Sequence, residues 1–124
     1  IPCHGIKKDQ AVELTCRHFS VLFTPNQLLT LPAEGDYVLG VRPEFVKVRG
    51  DEGIEGTVIS SLPSGMETTL SLAVKDITLS AVAFGSVDFA MDSIIHFGFE
   101  GDRYILFDAQ STENLGLGSL QILN

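Results

Sequence analysis

Cys3, His4, Cys16 and His18 are the residues whose types could bind a soft metal ion. Thiolate and imidazole are zinc ligands, and on a strand Cys16 and His18 would point to one face, where both could reach the same ion. Their spacing matches no common zinc pattern. Val12 and Leu14 share the face of Cys16, so Cys16 reads as a small core hydrophobe. Asp51, Glu52 and Glu55 carry the carboxylates of a hard-cation site, but the glycine-flanked stretch Gly50–Gly53 reads as a solvated turn. His96 alternates with Ile95 and Phe97, which places it on the outward side of a strand rather than in the position of a catalytic base.

Patterns that carry catalysis do not occur. None of Lys7, Lys8, Lys47 and Lys75 follows a glycine, so there is no phosphate-binding loop, and no Gly-x-Ser-x-Gly elbow occurs. Gly116-x-Gly118 has no helix pattern after it and reads as loop. The chain is therefore not expected to be an enzyme by itself.

The elements that must position these residues are short strands. The 124 residues fit one domain, and 44% hydrophobic with 19% charged residues excludes a disordered chain. Sixteen acidic against eight basic residues give a net charge of −8, which disfavours nucleic acid and anionic membrane surfaces as partners. No run approaches the roughly 18 apolar residues of a membrane span. A start at Ile1 without Met or a signal pattern suggests a processed chain or an excised piece, and two cysteines are too few for a disulfide framework, so the expected compartment is the cytoplasm.

Period-two alternation is clearest in 68–74, where Thr68, Leu70, Leu72 and Val74 share a face, and in 77–83, where Ile77, Leu79, Ala81 and Ala83 do. Lys75-Asp76 between them predicts a tight hairpin. Further strands are predicted over 12–17, 19–23, 36–42, 44–49, 54–61, 93–99, 103–107 and 119–123. One short helix is predicted around 86–91, on Val87, Ala90 and Met91. Ten short strands with frequent turns predict an all-β fold, a barrel or a sandwich. Gly50–Gly53 is either a boundary between two sub-barrels or a hairpin tip.

Leu39-Gly40-Val41-Arg42-Pro43-Glu44 breaks the pattern most informatively. Pro43 requires an edge, a bulge or a strand break, and it holds Arg42 extended. In a strand, Arg42 and Glu44 would face the same side and could share a charge-assisted network or form an ordinary surface pair.

This stretch resembles the Gly-(Ile/Val)-Arg-Pro-Glu signature of the C-terminal regulatory domain of ATP-binding subunits of bacterial ABC importers, of the maltose/sugar type, with its transport-associated OB (TOBE) fold. Leu31-Pro32 resembles the end of the family's preceding hairpin, and Gly56-Thr57-Val58 its next strand. Leu62-Pro63-Ser64-Gly65-Met66-Glu67-Thr68 resembles the leucine-glycine-x-glutamate turn through Gly65 and Glu67. Tyr104-Ile105-Leu106-Phe107-Asp108 resembles the closing strand. The ordered set spans roughly 28–113. Pro63-Ser64 and Ala90-Met91-Asp92 depart from the family pattern, and 1–27 matches poorly.

The resemblance implies a single regulatory domain over 1–124, built of OB-like β-barrels of short antiparallel strands, two of them intertwined with a boundary near 50–53. It would follow an ATPase domain absent from this sequence. ATP and Mg belong to that domain, and no cofactor, metal or catalytic residue is carried over. Gly40, Arg42, Pro43, Glu44, Gly65, Glu67, Phe107 and Asp108 are carried over as motif residues, with Arg42, Pro43 and Glu44 fixing a strand crossover between the barrel units. The implied partners are a second copy of the chain, the ATPase domain, a regulatory protein and, indirectly, the membrane permease subunits. The implied location is the inner face of the plasma membrane, through the transporter complex. One alternative is a TOBE module that binds a small molecule or oxyanion, with Ser60-Ser61 or Ser71 as candidates, against which the negative charge argues. The other is an OB-type nucleic-acid binder, which needs a basic groove that the dispersed basic residues do not supply.

Overall fold

A computed structural model describes residues 1–50, 52–85 and 89–123. The chain is all-β. It runs β1 (Pro2–Lys8), β2 (Ala11–Cys16), β3 (Ser20–Pro25), β4 (Glu34–Gly40), a 3₁₀ turn (Pro43–Phe45), β5 (Val46–Arg49), β6 (Ile54–Pro63), β7 (Glu67–Val74), β8 (Ile77–Phe84), β9 (Ile94–Phe99), β10 (Tyr104–Asp108) and β11 (Asn114–Ile122). It divides into two units, one of Ile1–Val41 with the stretch from Glu100 onward, the other of Arg42–Phe99.

The first unit is a closed barrel in the order β1-β2-β3-β11-β10-β4, every pairing antiparallel. Closure pairs each strand on both sides and so removes the sheet edge. Alternate residues line the interior: Val12, Leu14 and Cys16 from β2, Val21 and Phe23 from β3, Tyr37 and Leu39 from β4, Tyr104 and Leu106 from β10. This is an OB-like β-barrel architecture, as expected.

The second unit is a five-stranded antiparallel sheet in the order β5-β9-β6-β7-β8. The predicted hairpin is β7–β8, with Val74 opposite Ile77 and Lys75 at positive φ in the two-residue turn. Its inward residues are those the alternation marked: Thr68, Leu70, Leu72 and Val74 are buried against Leu79 and Ala81. Strand β5 beside β8 brings the two ends of the sheet's strand order together.

Several sequence expectations need correction. The boundary does not fall near 50–53. The chain passes between units after Val41 and again after Phe99, and 50–53 joins β5 to β6 inside the second unit. Nor is that stretch a hairpin tip, because β9 lies between β5 and β6. The predicted helix around 86–91 falls partly on residues 86–88, outside the described ones. Ala90 is irregular and Met91-Asp92 is a turn, with Asp92 at positive φ. Gly116 and Gly118 are not loop but part of β11. There Leu106 opposes Gly116 and Phe107 opposes Asn114, so Leu115 is the extra residue of a bulge and Gly116 takes φ +142°. Strand β1 lies outside every predicted strand.

Candidate functional site

The Cys/His constellation separates across the barrel wall. Cys3 on β1 lies directly opposite Cys16 on β2, and both thiols are buried and free. The Cys3 thiol donates to the Tyr37 carbonyl at 3.6 Å. The neighbouring Cys16 sulfur, and then burial, push the Cys3 thiol up, and the neighbouring Cys3 thiol pushes the Cys16 thiol down. Cys16 is thus a core residue, as its neighbours Val12 and Leu14 suggested. β2 ends at Cys16, so strand alternation does not extend to His18, and the two side chains share no face by that rule.

His4 points the other way, to the outside. Its Nδ1 is 2.8 Å from Asp36 Oδ1 and its Nε2 2.6 Å from Glu34 Oε2, both on β4. Two carboxylate acceptors require both ring nitrogens to donate, which only the imidazolium can do. Asp36 and then Glu34 accordingly hold the ring's pKa above its ordinary value. With both nitrogens engaged, His4 has no lone pair for a metal. Among the described residues no group of three or more His, Cys, Asp or Glu converges as a metal site. Of the acidic trio, Asp51 lies outside the described residues, and Glu52 and Glu55 are exposed. His96 sits half-buried on β9 between Arg49 of β5 and Glu55 of β6, on the outward side as expected.

The motif residues lie at strand ends and turns. Gly40 ends β4 opposite Ile105 of β10, under the Phe107 ring. A Cβ there would stand 3.0 Å from that ring. Asp108 ends β10, and its Oδ1 accepts the N–H groups of Gln110 and Ser111, each at 2.9 Å. Those bonds, first Ser111 and then Gln110, hold its carboxyl below the usual range. Asp108 therefore anchors the β10–β11 turn. Gly65 takes φ +80° in the β6–β7 turn, where Ser64 donates its N–H to the Glu67 carbonyl at 2.8 Å. Gly40, Phe107 and Asp108 thus belong to the barrel, and Arg42, Pro43, Glu44, Gly65 and Glu67 to the second unit.

Arg42 is extended, at φ −91° and ψ 140°, as a residue before proline should be. Beyond Arg42 the backbone departs from the expected strand. Pro43 opens a 3₁₀ turn, closed by the Phe45 N–H on the Arg42 carbonyl at 3.1 Å. A proline at the first helical position loses no hydrogen bond there, so the local chemistry favours the turn over a continued strand. Glu44 is consequently not at strand spacing from Arg42. All three motif side chains are exposed, and among the described residues Arg42 and Glu44 form no ion pair. Arg42→Ala is expected to change stability by no more than about 0.5 kcal/mol, the range of ordinary surface substitutions. A urea midpoint shifted by several times that would mean the guanidinium is held in a network.

The serine candidates also separate. Ser60, Ser71 and Ser80 form a row across β6, β7 and β8 on the outer face. Ser61 is on the opposite side of β6, its Oγ accepting the Phe89 N–H at 3.3 Å. A bulge at Ile59 sets this register. In the barrel unit, the β3–β4 connection and the start of β11 enclose a cleft of about 340 Å³ lined by Asn26, Gln27, Leu29, Leu115, Gly116 and Leu117. The Asn26 side-chain amide is committed to the Asp102 carbonyl at 2.8 Å, which fixes the cleft's polar edge. Reading the sequence missed this cleft. Its signal was Leu28-Leu29-Thr30-Leu31, an apolar run between turn residues where a solvated loop should be polar.

No protein-family model matches the chain, and no curated protein matches it. No helix of the described residues is long and apolar enough to cross a membrane.

Proposed function

We propose that this chain is the C-terminal regulatory and pairing domain of the ATP-binding subunit of an ABC importer for a sugar or related small solute, acting from the cytoplasmic face of the membrane. It performs no chemistry of its own in this reading. ATP and Mg are handled by the ATPase domain that precedes it, and the permease subunits are reached through that domain. The observation that carries the reading is the ordered set of motif resemblances from Leu31-Pro32 to Asp108, of which Gly40-Val41-Arg42-Pro43-Glu44 is the core. Its placement is supportive: the chain leaves the barrel unit between Val41 and Arg42, inside that motif. A crossover role for Arg42, Pro43 and Glu44 therefore rests on backbone shape, the extended Arg42 and the Pro43 turn, rather than on their charges.

The oxyanion alternative is the weaker one. Ser60 and Ser61 face opposite sides of β6, and the row Ser60–Ser71–Ser80 offers hydroxyls on a chain of net charge −8.

Pairing is the property that tests the reading on this chain. Leu62, Met66, Phe84 and Ile94 of the second unit are between 62% and 85% exposed, a supply of apolar surface that a partner would cover. The negative charge opposes association, so added salt should strengthen it. In sedimentation equilibrium the mean mass should rise above 13.4 kDa with concentration, and more steeply at high salt. A mass fixed at 13.4 kDa up to about millimolar protein at high salt would overturn the pairing role.

A further inference from the structure

We propose that Cys3 and Cys16 form a reversible disulfide across the β1–β2 ladder, which makes the barrel wall a modification site for small disulfides of the glutathione type. The two residues are direct cross-strand partners. The Cys16 N–H donates to the Phe19 carbonyl at 2.9 Å, so the Cys16 backbone groups point toward β3 and away from β1. Just before β1, the Ile1 nitrogen and carbonyl both bond Leu39, toward β4. Two residues along the strand, the Cys3 backbone groups point the same way. Cys3 and Cys16 therefore form a pair without hydrogen bonds between their backbones, the closer type, with Cα atoms about 4.5 Å apart. Disulfides span Cα separations of about 4.4–6.8 Å, a range that includes pairs of this type. Both side chains are buried on the interior face, directly across the ladder from one another.

The chemistry balances through thiol–disulfide exchange. Cys16 is the first nucleophile, since the neighbouring Cys3 thiol holds it below the ordinary thiol range. It attacks one sulfur of the small disulfide. That S–S bond breaks, and one thiolate leaves and takes up the proton Cys16 lost. Cys3 then gives up its proton and attacks the Cys16 sulfur of the mixed disulfide, expelling the second small thiol, which takes up that proton. In sum two protein S–H groups and one small disulfide become one protein S–S and two small thiols. Cys3 is 8% and Cys16 5% exposed, so the first attack needs a local opening of the β1–β2 ladder. The second occurs as the ladder recloses, which brings the Cys3 sulfur against the mixed disulfide and expels the small thiol from the barrel wall.

The test equilibrates the full chain with mixtures of reduced and oxidised glutathione, in buffer and in urea, followed by acid quenching and mass spectrometry. The folded chain should lose both thiols together, as a single chain lighter by two hydrogens and without a glutathione adduct, and dithiothreitol should restore it. Because the fold aligns the sulfurs, its oxidation constant should exceed that of the urea-unfolded chain by about tenfold or more. Cys3→Ala should instead retain one glutathione on Cys16, and the wild-type comparison stands whether or not that variant folds. A folded chain with an oxidation constant equal to or below the unfolded one, with adducts on both cysteines, or with bridges between chains would overturn the proposal.

Discussion

Replacing Gly53 by alanine is expected to destabilise the chain by about 2–5 kcal/mol, although the site is exposed. Strands β5 and β6 run along opposite sides of β9, and Val48 and Ile54 both pair with Phe97. In the short connection between them the chain must change sides of β9. It does so at Gly53, which takes φ +117° and lies against the Phe97 backbone. An alanine Cβ would run into the Phe97 carbonyl oxygen and stand 3.0 Å from its carbon. Neither atom can rotate away, because Phe97 is paired on both sides within β9 and its ring is fully buried. Backbone strain at a positive φ and forced displacement of packed atoms each cost about 1–3 kcal/mol, and here they act together. Urea unfolding would measure the loss, and a variant within about 0.5 kcal/mol of the parent would show that the crossing does not pass so close.

Tyr37→Ala should cost about 3–5 kcal/mol, the range for removing a large buried ring. Tyr37 is 3% exposed, and its ring covers Gly5 of β1, where a Cβ would stand 2.7 Å from Cε2. No neighbour on β1 can refill that volume, since its facing positions are Cys3 and Gly5. Thermal unfolding of the variant should show a large fall in midpoint, and Tyr37→Phe, which keeps the ring, should recover most of it. Equal losses in the two variants would place the energy in the hydroxyl instead of the packed ring.

The same packing explains what could not be read from the residues. Strands β7 and β8 were legible because each fills its own half of the core with Leu, Val and Ala at period two. β1 was not, because its inward residues are small and the volume they leave is filled by Tyr37, more than thirty positions away in the chain. The break at Pro43 was legible, but a strand and a 3₁₀ turn both satisfy an extended residue before proline. The crossing at Gly53 depends on which strand lies between β5 and β6, and the local pattern carries no sign of β9. Of the site residues, Cys16 was recognisable as core from Val12 and Leu14. The pairing of Cys3 with Cys16 and the carboxylates around His4 depend on the β1–β2 and β1–β4 registers, which become visible only with β1 in place.

The coding sequence upstream of the Ile1 codon tests the central claim most directly, because the proposed role requires an ATPase domain on the same polypeptide. Sequencing that region of the gene should reveal a continuous reading frame encoding a Gly-x-x-x-x-Gly-Lys-[Ser/Thr] loop between a strand and a helix, the backbone cradle that holds nucleotide phosphates. A stop codon immediately upstream, or an in-frame domain without such a loop, would contradict the proposed role.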